Sequence, residues 1–209
     1  MNILLKATDR FDNSHQRIGI LGGVFDPIHN GHLALAKAAL ERFSLERLIL
    51  IPSSTPPPAG KHKQTTPGFL RLDMVKAAIR NEPQLEASDI ELKRQGISYT
   101  VDTLRELRQR YFQPTSLYFF IGSDWMDHLN EWKDFKTILS LCTLIMANRP
   151  GYQKTFKTPS SVQMFDFDGL NIASSDIREQ AHAGKSIRAW VPGAVADIIE
   201  KQNLYRSSL

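Results

Sequence analysis

The sequence predicts an α/β fold: a doubly wound, mostly parallel sheet with helices on both faces. Three observations predict it. Short apolar runs of strand length alternate with segments of helical spacing along the chain. Several of these runs are continuously apolar, as in parallel strands buried on both sides. The first of them passes into the first helix through a glycine-containing turn, where doubly wound sheets bind ligands. A chain of 209 residues is long enough to bury one sizeable core. It is read as one domain over 1–209, with a polar leader at 1–16 and a C-terminal helical part from about residue 174.

The elements follow in order. RIGIL (17–21) is a short buried strand, HLALAKAALERF (32–43) a helix and RLILIP (47–52) a second strand. Residues 52–68, PSSTPPPAGKHKQTTPG, hold five prolines and two glycines, which excludes a helix or a central strand and leaves a long loop. FLRLDMVKAAI has helical spacing through Leu70, Met74, Ala77 and Ala78. LEASDIEL reads as a strand polar enough to lie at an edge, and YTVDTLRELRQRY as a helix with Thr100 as its cap. SLYFFIG (116–122) is the clearest strand; a turn and short helix over SDWMDHLNEW, the helix DFKTILSL and the strand TLIMAN come next. VQMFDF is a further strand, SSDIREQAHAG a capped helix closed by Gly184, and PGAVADIIEKQ a last helix opened by Pro192.

Composition narrows the class of function. Lys plus Arg exceed Asp plus Glu by 26 to 22, a balance that mildly favours anionic ligands. The longest basic runs are KHK and LKR, and aromatic and basic residues do not alternate along any element, so nothing marks a nucleic-acid binder. No run approaches the length of a membrane span, and the first residues lack a signal peptide's apolar core, which predicts a cytoplasmic protein. The single cysteine, Cys142, lies inside the apolar run LCTLIMA and fits a reducing compartment. The oligomeric state stays open, a homo-oligomer included.

Chemistry is concentrated in GGVFDPIHNGHL, residues 22–33. Gly22 and Gly23 follow the first strand, and without Cβ atoms they permit close approach to the main chain. The helix beginning near Asn30 or Gly31 offers free N–H groups and a positive dipole end, which together form an anion site. His29 and His32, three apart at that end, can both face the anion. A structural turn with a histidine cap is the bland alternative. Zinc is disfavoured because the histidines are not spaced i, i+4 around a glutamate, and a dinucleotide fold because G-x-G-x-x-G is absent.

GGVFDPIHNGHL resembles the signature of the nucleotidyltransferase superfamily, whose (H/T)-x-G-H element corresponds to His29-Asn30-Gly31-His32. The resemblance implies a Rossmann-like nucleotidyltransferase fold and transfer of a nucleoside monophosphate to a phosphorylated acceptor. The superfamily's second element, I-S-x-(S/T)-x-I-R, is similar to Ile172-Ala173-Ser174-Ser175-Asp176-Ile177-Arg178, with alanine where serine is frequent. Read by itself, that segment is a helix capped by Ser174 or Ser175, with Arg178 one turn on and its planar fork of donors suited to phosphate.

Further segments resemble the bacterial nicotinate-nucleotide adenylyltransferases. They are the basic loop ending Lys61-His62-Lys63, Ser98-Tyr99-Thr100 with Asp102-Thr103-Leu104, and Phe120-Ile121-Gly122-Ser123-Asp124. Asn130-Glu131-Trp132 followed by Phe135 to Leu139, and RPGY at 149–152, complete the set. The resemblance implies ATP and nicotinate mononucleotide as substrates and Mg²⁺ carried on the ATP phosphates, with no protein-held metal. His29, His32 and Arg178 would be catalytic. Gly22, Gly23, Phe25, Gly31, Gly122, Asp124, Ser174, Ser175 and Ile177 would bind ATP. Lys63, Thr100 and Trp132 would bind the acceptor, Trp132 by stacking on the pyridine ring. Another acceptor, nicotinamide mononucleotide or phosphopantetheine, and a nucleotide-binding module without catalysis are the competing readings.

Overall fold

A computed structural model gives the fold and describes residues 16–57, 66–112, 114–148, 161–167 and 169–206. Six strands form one sheet in the order β3-β2-β1-β4-β5-β6, every pair parallel. They are β1 (Arg17–Gly23), β2 (Arg47–Pro52), β3 (Leu85–Ala87), β4 (Ser116–Gly122), β5 (Thr143–Asn148) and β6 (Val162–Asp166). The chain winds outward from β1 to β3, returns to β4 beside β1, and winds out again. The switch between β1 and β4 therefore opens a crevice at the carboxyl ends of two central strands.

Alternation along the strands feeds two cores. Ile18 and Ile20 of β1, Ile49 and Ile51 of β2 and Phe119 and Ile121 of β4 face one side, under α3 (Ile90–Arg94), α4 (Thr100–Arg110) and α5 (Phe135–Leu141). Leu21, Leu48, Leu50 and Phe120 face the other, under α1 (Asn30–Arg42), α2 (Gly68–Ala78), α6 (Ser174–His182) and α7 (Gly193–Lys201). Burial on both faces is what makes these strands read as unbroken apolar runs. Among the described residues no helix is long and apolar enough to cross a membrane.

The structure corrects several local expectations. LEASDIEL divides: only Leu85–Ala87 is strand, at the sheet edge as expected, and Ile90–Arg94 is helix. In α2 the buried residues are Arg71, Leu72, Met74 and Val75: Met74 of the expected stripe is among them, Leu70, Ala77 and Ala78 are half-buried, and an arginine takes a central place. Thr100 is the first helical residue of α4 and Tyr99 the cap position; Ala173, not Ser174 or Ser175, occupies it in α6. Pro192 likewise stands just before α7. Gly184 does close α6: at φ 68° its N–H donates to the Ala181 carbonyl, and the Lys185 N–H to that of Gln180, the paired bonds of a Schellman stop.

Candidate active site

A cavity of about 560 Å³ opens at the switch point, walled by the ends of β1 and β4 and by the starts of α1, α4 and α6. At one end stand His29, Gly31, His32, Ser174, Ser175 and Arg178; at the other, Tyr99, Thr100, Phe119, Trp125 and Trp132. Gly22, Gly23, Phe25 and Gly122 form the floor between them.

The first end is built on the turn from β1 to α1. His29 is the residue before α1 and is 2% exposed. Its backbone N–H donates to His32 Nδ1 in a long bond of 3.3 Å, and the two imidazoles stack with centroids 3.7 Å apart. With Nδ1 accepting, a neutral His32 carries its proton on Nε2, the tautomer that can donate to an anion. Phe25, held at a left-handed φ of 50°, packs edge-on against His32 at 5.0 Å. Gly23 makes this possible, since a Cβ there would meet the Phe25 ring at 3.2 Å. At Gly22 a Cβ would make only an ordinary contact with the Phe119 ring, at 3.4 Å, so the aromatic wall demands glycine at position 23 and not at 22.

The first-turn amides can be accounted for one by one. Asn30 N–H donates to the Trp190 carbonyl, and His32 and Leu33 N–H donate to the His29 carbonyl. The Gly31 amide has no protein acceptor among the described residues. In α6 the amides of Asp176 and Ile177 donate to the Ala173 carbonyl, and those of Ser174 and Ser175 have no acceptor among the described residues. Two helix starts therefore present uncommitted donors and positive dipole ends to the same end of the cavity.

The second motif is docked onto the first. Ser174 Oγ donates to the Pro27 carbonyl at 3.0 Å, and Arg178 Nη1 to the Asp26 carbonyl at 2.8 Å. Ala173 holds the cap position of α6, and the Ser174 hydroxyl, one residue into the helix, gives its proton to a carbonyl of the opposing turn instead. Among the described residues one of the five guanidinium N–H donors of Arg178 is spent, on the Asp26 carbonyl. Ile177 does not line the cavity; it is wholly buried in the core beneath, where it seats α6.

At the other end Trp132 stands edge-on to Trp125 at 5.6 Å and to Phe119 at 6.3 Å. It follows a 3-10 helix (Ser123–Glu131) that begins directly after β4. Its neighbour Lys133 places Nζ 4.6 Å from the Tyr99 ring centroid and 3.1 Å from Asp102 Oδ2. Arg105 joins Asp102 to Asp134, so the tryptophan segment is tied to the first turns of α4. Glu91, buried beside this wall, accepts from the Thr103 hydroxyl at 2.6 Å. Desolvation pushes its carboxyl above the ordinary range, against the hydroxyls of Thr103 and Ser98. Lys63 lies outside the described residues, as does the side chain of Asp124.

Sequence reasoning missed the support behind the first turn. Arg71, fully buried, donates to the carbonyls of Val24 at 2.6 Å, Ser53 at 2.7 Å and Thr66 at 3.0 Å, joining the turn after β1 to both ends of the loop after β2. Asp26 is 1% exposed; its carboxylate accepts from the Tyr205 hydroxyl and the Thr66 N–H. An arginine centred in the buried face of α2 was the available signal for the first. The tail carrying Tyr205 offers none.

Among the described residues no cluster of three or more His, Cys, Asp or Glu side chains is arranged to hold a metal ion. The donors around the first end suit an anion.

Comparison with known proteins places this geometry. Residues 20–180 match the cytidylyltransferase-like family model. A "probable nicotinate-nucleotide adenylyltransferase" of Desulfitobacterium hafniense (strain Y51) is 41% identical over 201 residues, 91% of this chain and 96% of its own length. A protein of the same name from Shouchella clausii (strain KSM-K16) is 44% identical over 193 residues, covering 91% of this chain and 97% of its own. The fold is shared with the Plasmodium falciparum nicotinic acid mononucleotide adenylyltransferase solved in complex with NaAD. There the TM-score is 0.75 at 20% identity, over 91% of this chain and 98% of that one.

Proposed function

Because the chain belongs to the nicotinate-nucleotide adenylyltransferases of the cytidylyltransferase-like family, we propose that it transfers the adenylyl group of ATP to nicotinate mononucleotide, giving deamido-NAD and pyrophosphate. One observation carries the phosphate chemistry: two helix starts, with His29, His32 and Arg178 beside them, converge on one end of a cavity whose other end is aromatic.

A phosphate oxygen of the mononucleotide attacks the α-phosphorus of ATP in line. As that P–O bond forms, the bond to the bridging α,β-oxygen breaks, and pyrophosphate leaves with the electron pair. The attacking phosphate is already anionic, so no base is needed. The chain's task is positioning and stabilising charge on the equatorial and leaving oxygens. His32 Nε2–H and the Gly31 amide donate to the α- and β-phosphates. Arg178 and the amides of Ser174 and Ser175 hold the β- and γ-phosphates. His29, buried beneath, orients His32 through their bond and stack. Mg²⁺ rides on the ATP phosphates, largely hydrated.

Trp132 offers its face to the pyridine ring, and the start of α4 at Thr100 offers amides to the ring's carboxylate. Gly22, Gly23, Gly122 and Asp124 are assigned to the nucleoside, and Lys63, outside the described residues, is assigned to the acceptor by the resemblance alone. The reading places the enzyme in NAD biosynthesis, in the cytoplasm.

The test is a product assay with ATP and Mg²⁺ against nicotinate mononucleotide, nicotinamide mononucleotide and phosphopantetheine in parallel, dinucleotides resolved by chromatography. Deamido-NAD and pyrophosphate form fastest from the acid. Pyrophosphate release with none of the three acceptors would sink the reading. In the same assay His32→Ala loses about 100- to 1,000-fold in turnover with the fold retained; near-normal turnover would remove His32 from the mechanism.

A further inference from the structure

The C-terminal turn reaches the phosphate end of the cavity through a side chain that no motif flags. After α7 the backbone passes through Asn203 at φ 49° and Tyr205 at φ 64°, both in the left-handed region. Non-glycine residues there are strained and persist only where their surroundings hold them. Tyr205 is held by its ring, packed against the core, and by its hydroxyl, which donates to Asp26 Oδ1 at 2.6 Å and accepts from Thr66 Oγ1 at 3.2 Å. The second carboxylate oxygen of Asp26 accepts from the Thr66 N–H at 3.2 Å, so both oxygens are fixed. Phe25, immediately before Asp26, is also left-handed. The Asp26 carbonyl, on the same peptide frame, is the acceptor for Arg178.

We propose that Tyr205 is a positioning residue for adenylyl transfer: by clamping the Asp26 carboxylate it fixes the Asp26 carbonyl, and that carbonyl aims the Arg178 guanidinium at the ATP phosphates. The proposal rests on the reading of Arg178 as a phosphate ligand. A carboxylate gripped at both oxygens removes the freedom of its own backbone to rotate, and a carbonyl that cannot rotate holds one edge of the guanidinium while the other donors face the cavity. Burial and the adjoining Asp26 keep the Tyr205 hydroxyl protonated well above its ordinary range, so the donor is present throughout the working pH range.

Four proteins decide it: the natural chain, Tyr205→Phe, Arg178→Ala and the double variant, compared by steady-state kinetics at 20 °C and by thermal unfolding. Tyr205→Phe keeps the ring and removes only the hydroxyl. It lowers kcat/KM for ATP about 10-fold, within the order of 100-fold set by a 1 Å misplacement. The KM for nicotinate mononucleotide changes less than twofold. Arg178→Ala loses about 100-fold or more, and the double variant is no slower than Arg178→Ala alone, because the clamp acts only through the arginine. Losses that multiply in the double variant, or a Tyr205→Phe enzyme at the natural rate, overturn the clamp while leaving Arg178 in place. An Arg178→Ala enzyme at the natural rate overturns both the clamp and the phosphate role beneath it.

Discussion

Replacing Gly31 by alanine separates stability from catalysis with opposite signs. Gly31 is the second residue of α1. A Cβ built there meets His29 Cε1 and Nδ1, each at 3.1 Å, and the Leu170 carbonyl oxygen at 3.4 Å. Carbon contacts are optimal near 3.5–4.0 Å, so the imidazole must retreat by about 0.4 Å. It cannot do so alone, because the ring is buried and stacked on His32 at 3.7 Å. The displacement passes to the second imidazole or to the first turn of the helix, and the new methyl also crowds the Gly31 amide.

A 1 Å misplacement costs on the order of 100-fold in rate, so a shift of about 0.4 Å with partial blocking of one amide lowers kcat/KM for ATP by about 10- to 100-fold. Against this, alanine restricts the unfolded chain and favours the helix by up to about 0.5–1 kcal/mol. The melting temperature should therefore stay within about 3 °C of the natural protein. The assay is initial-rate pyrophosphate release over a range of ATP concentrations, with calorimetric unfolding on the same preparation. An alanine variant within twofold of the natural kcat/KM would refute the argument that these atoms set the phosphate geometry. A large fall in melting temperature would refute the argument that the contact is absorbed locally.

Arg71→Met takes donors from three carbonyls at once; at about 1–3 kcal/mol for each buried acceptor left unmet, melting falls by roughly 10 °C or more, and a fall under 3 °C in a thermal scan would contradict the brace. Glu91 has a folded-state pKa above its ordinary value, so its stabilising contribution is complete below the unfolded pKa and is lost as pH rises through the folded one. Melting temperatures measured from about pH 4 to 8 should then show the natural protein losing ground to Glu91→Gln as pH rises; a constant difference would show that the carboxyl is not perturbed. Burial pushes the Cys142 thiol up to about 12, so a thiol reagent at pH 8 labels the native protein slowly and the denatured protein at once; immediate stoichiometric labelling of native protein would be the contrary result.

The strands were legible because parallel strands covered on both faces leave unbroken apolar runs, and RIGIL, RLILIP, SLYFFIG and TLIMAN are such runs. The histidine end of the cavity was legible as a candidate site because glycines and histidines crowd a strand-to-helix turn. Errors arose wherever a tertiary partner displaced a local one. Ile90 and Leu92 alternate like strand residues because the position between them is a glutamate, yet that glutamate is buried against Thr103 inside a helical turn. The stripe assigned to α2 was right at Met74 but left out Arg71, a fully buried arginine satisfied by carbonyls of segments up to 47 residues away. Ser174 looked like a helix cap and instead donates to Pro27, 147 positions earlier. Pairings of that kind leave no periodicity for a local pattern to detect.

Those long-range pairings have an order that bears on function. After β6 the chain crosses back over the sheet face and settles on residues 26–30: Ser174 on Pro27, Arg178 and Tyr205 on Asp26, and the Trp190 and Ala189 carbonyls on Asn30. Among the described residues the aromatic end shares none of these contacts. Trp132 is held by Trp125 and Phe119, and its segment is tied to α4 through Lys133, Asp102, Arg105 and Asp134. Two separate sets of contacts therefore frame one cavity; on the proposed reading, one braces the phosphates and the other the ring. A lesion in the C-terminal brace should act on ATP, and a lesion in the Lys133 cluster on the acceptor. Gly22 at the end of β1 and Gly122 at the end of β4, strands that pair side by side, also line the cavity. On the proposed reading, the attacking phosphate and the α-phosphorus must meet between the two braces, which is the one requirement the two ends have in common.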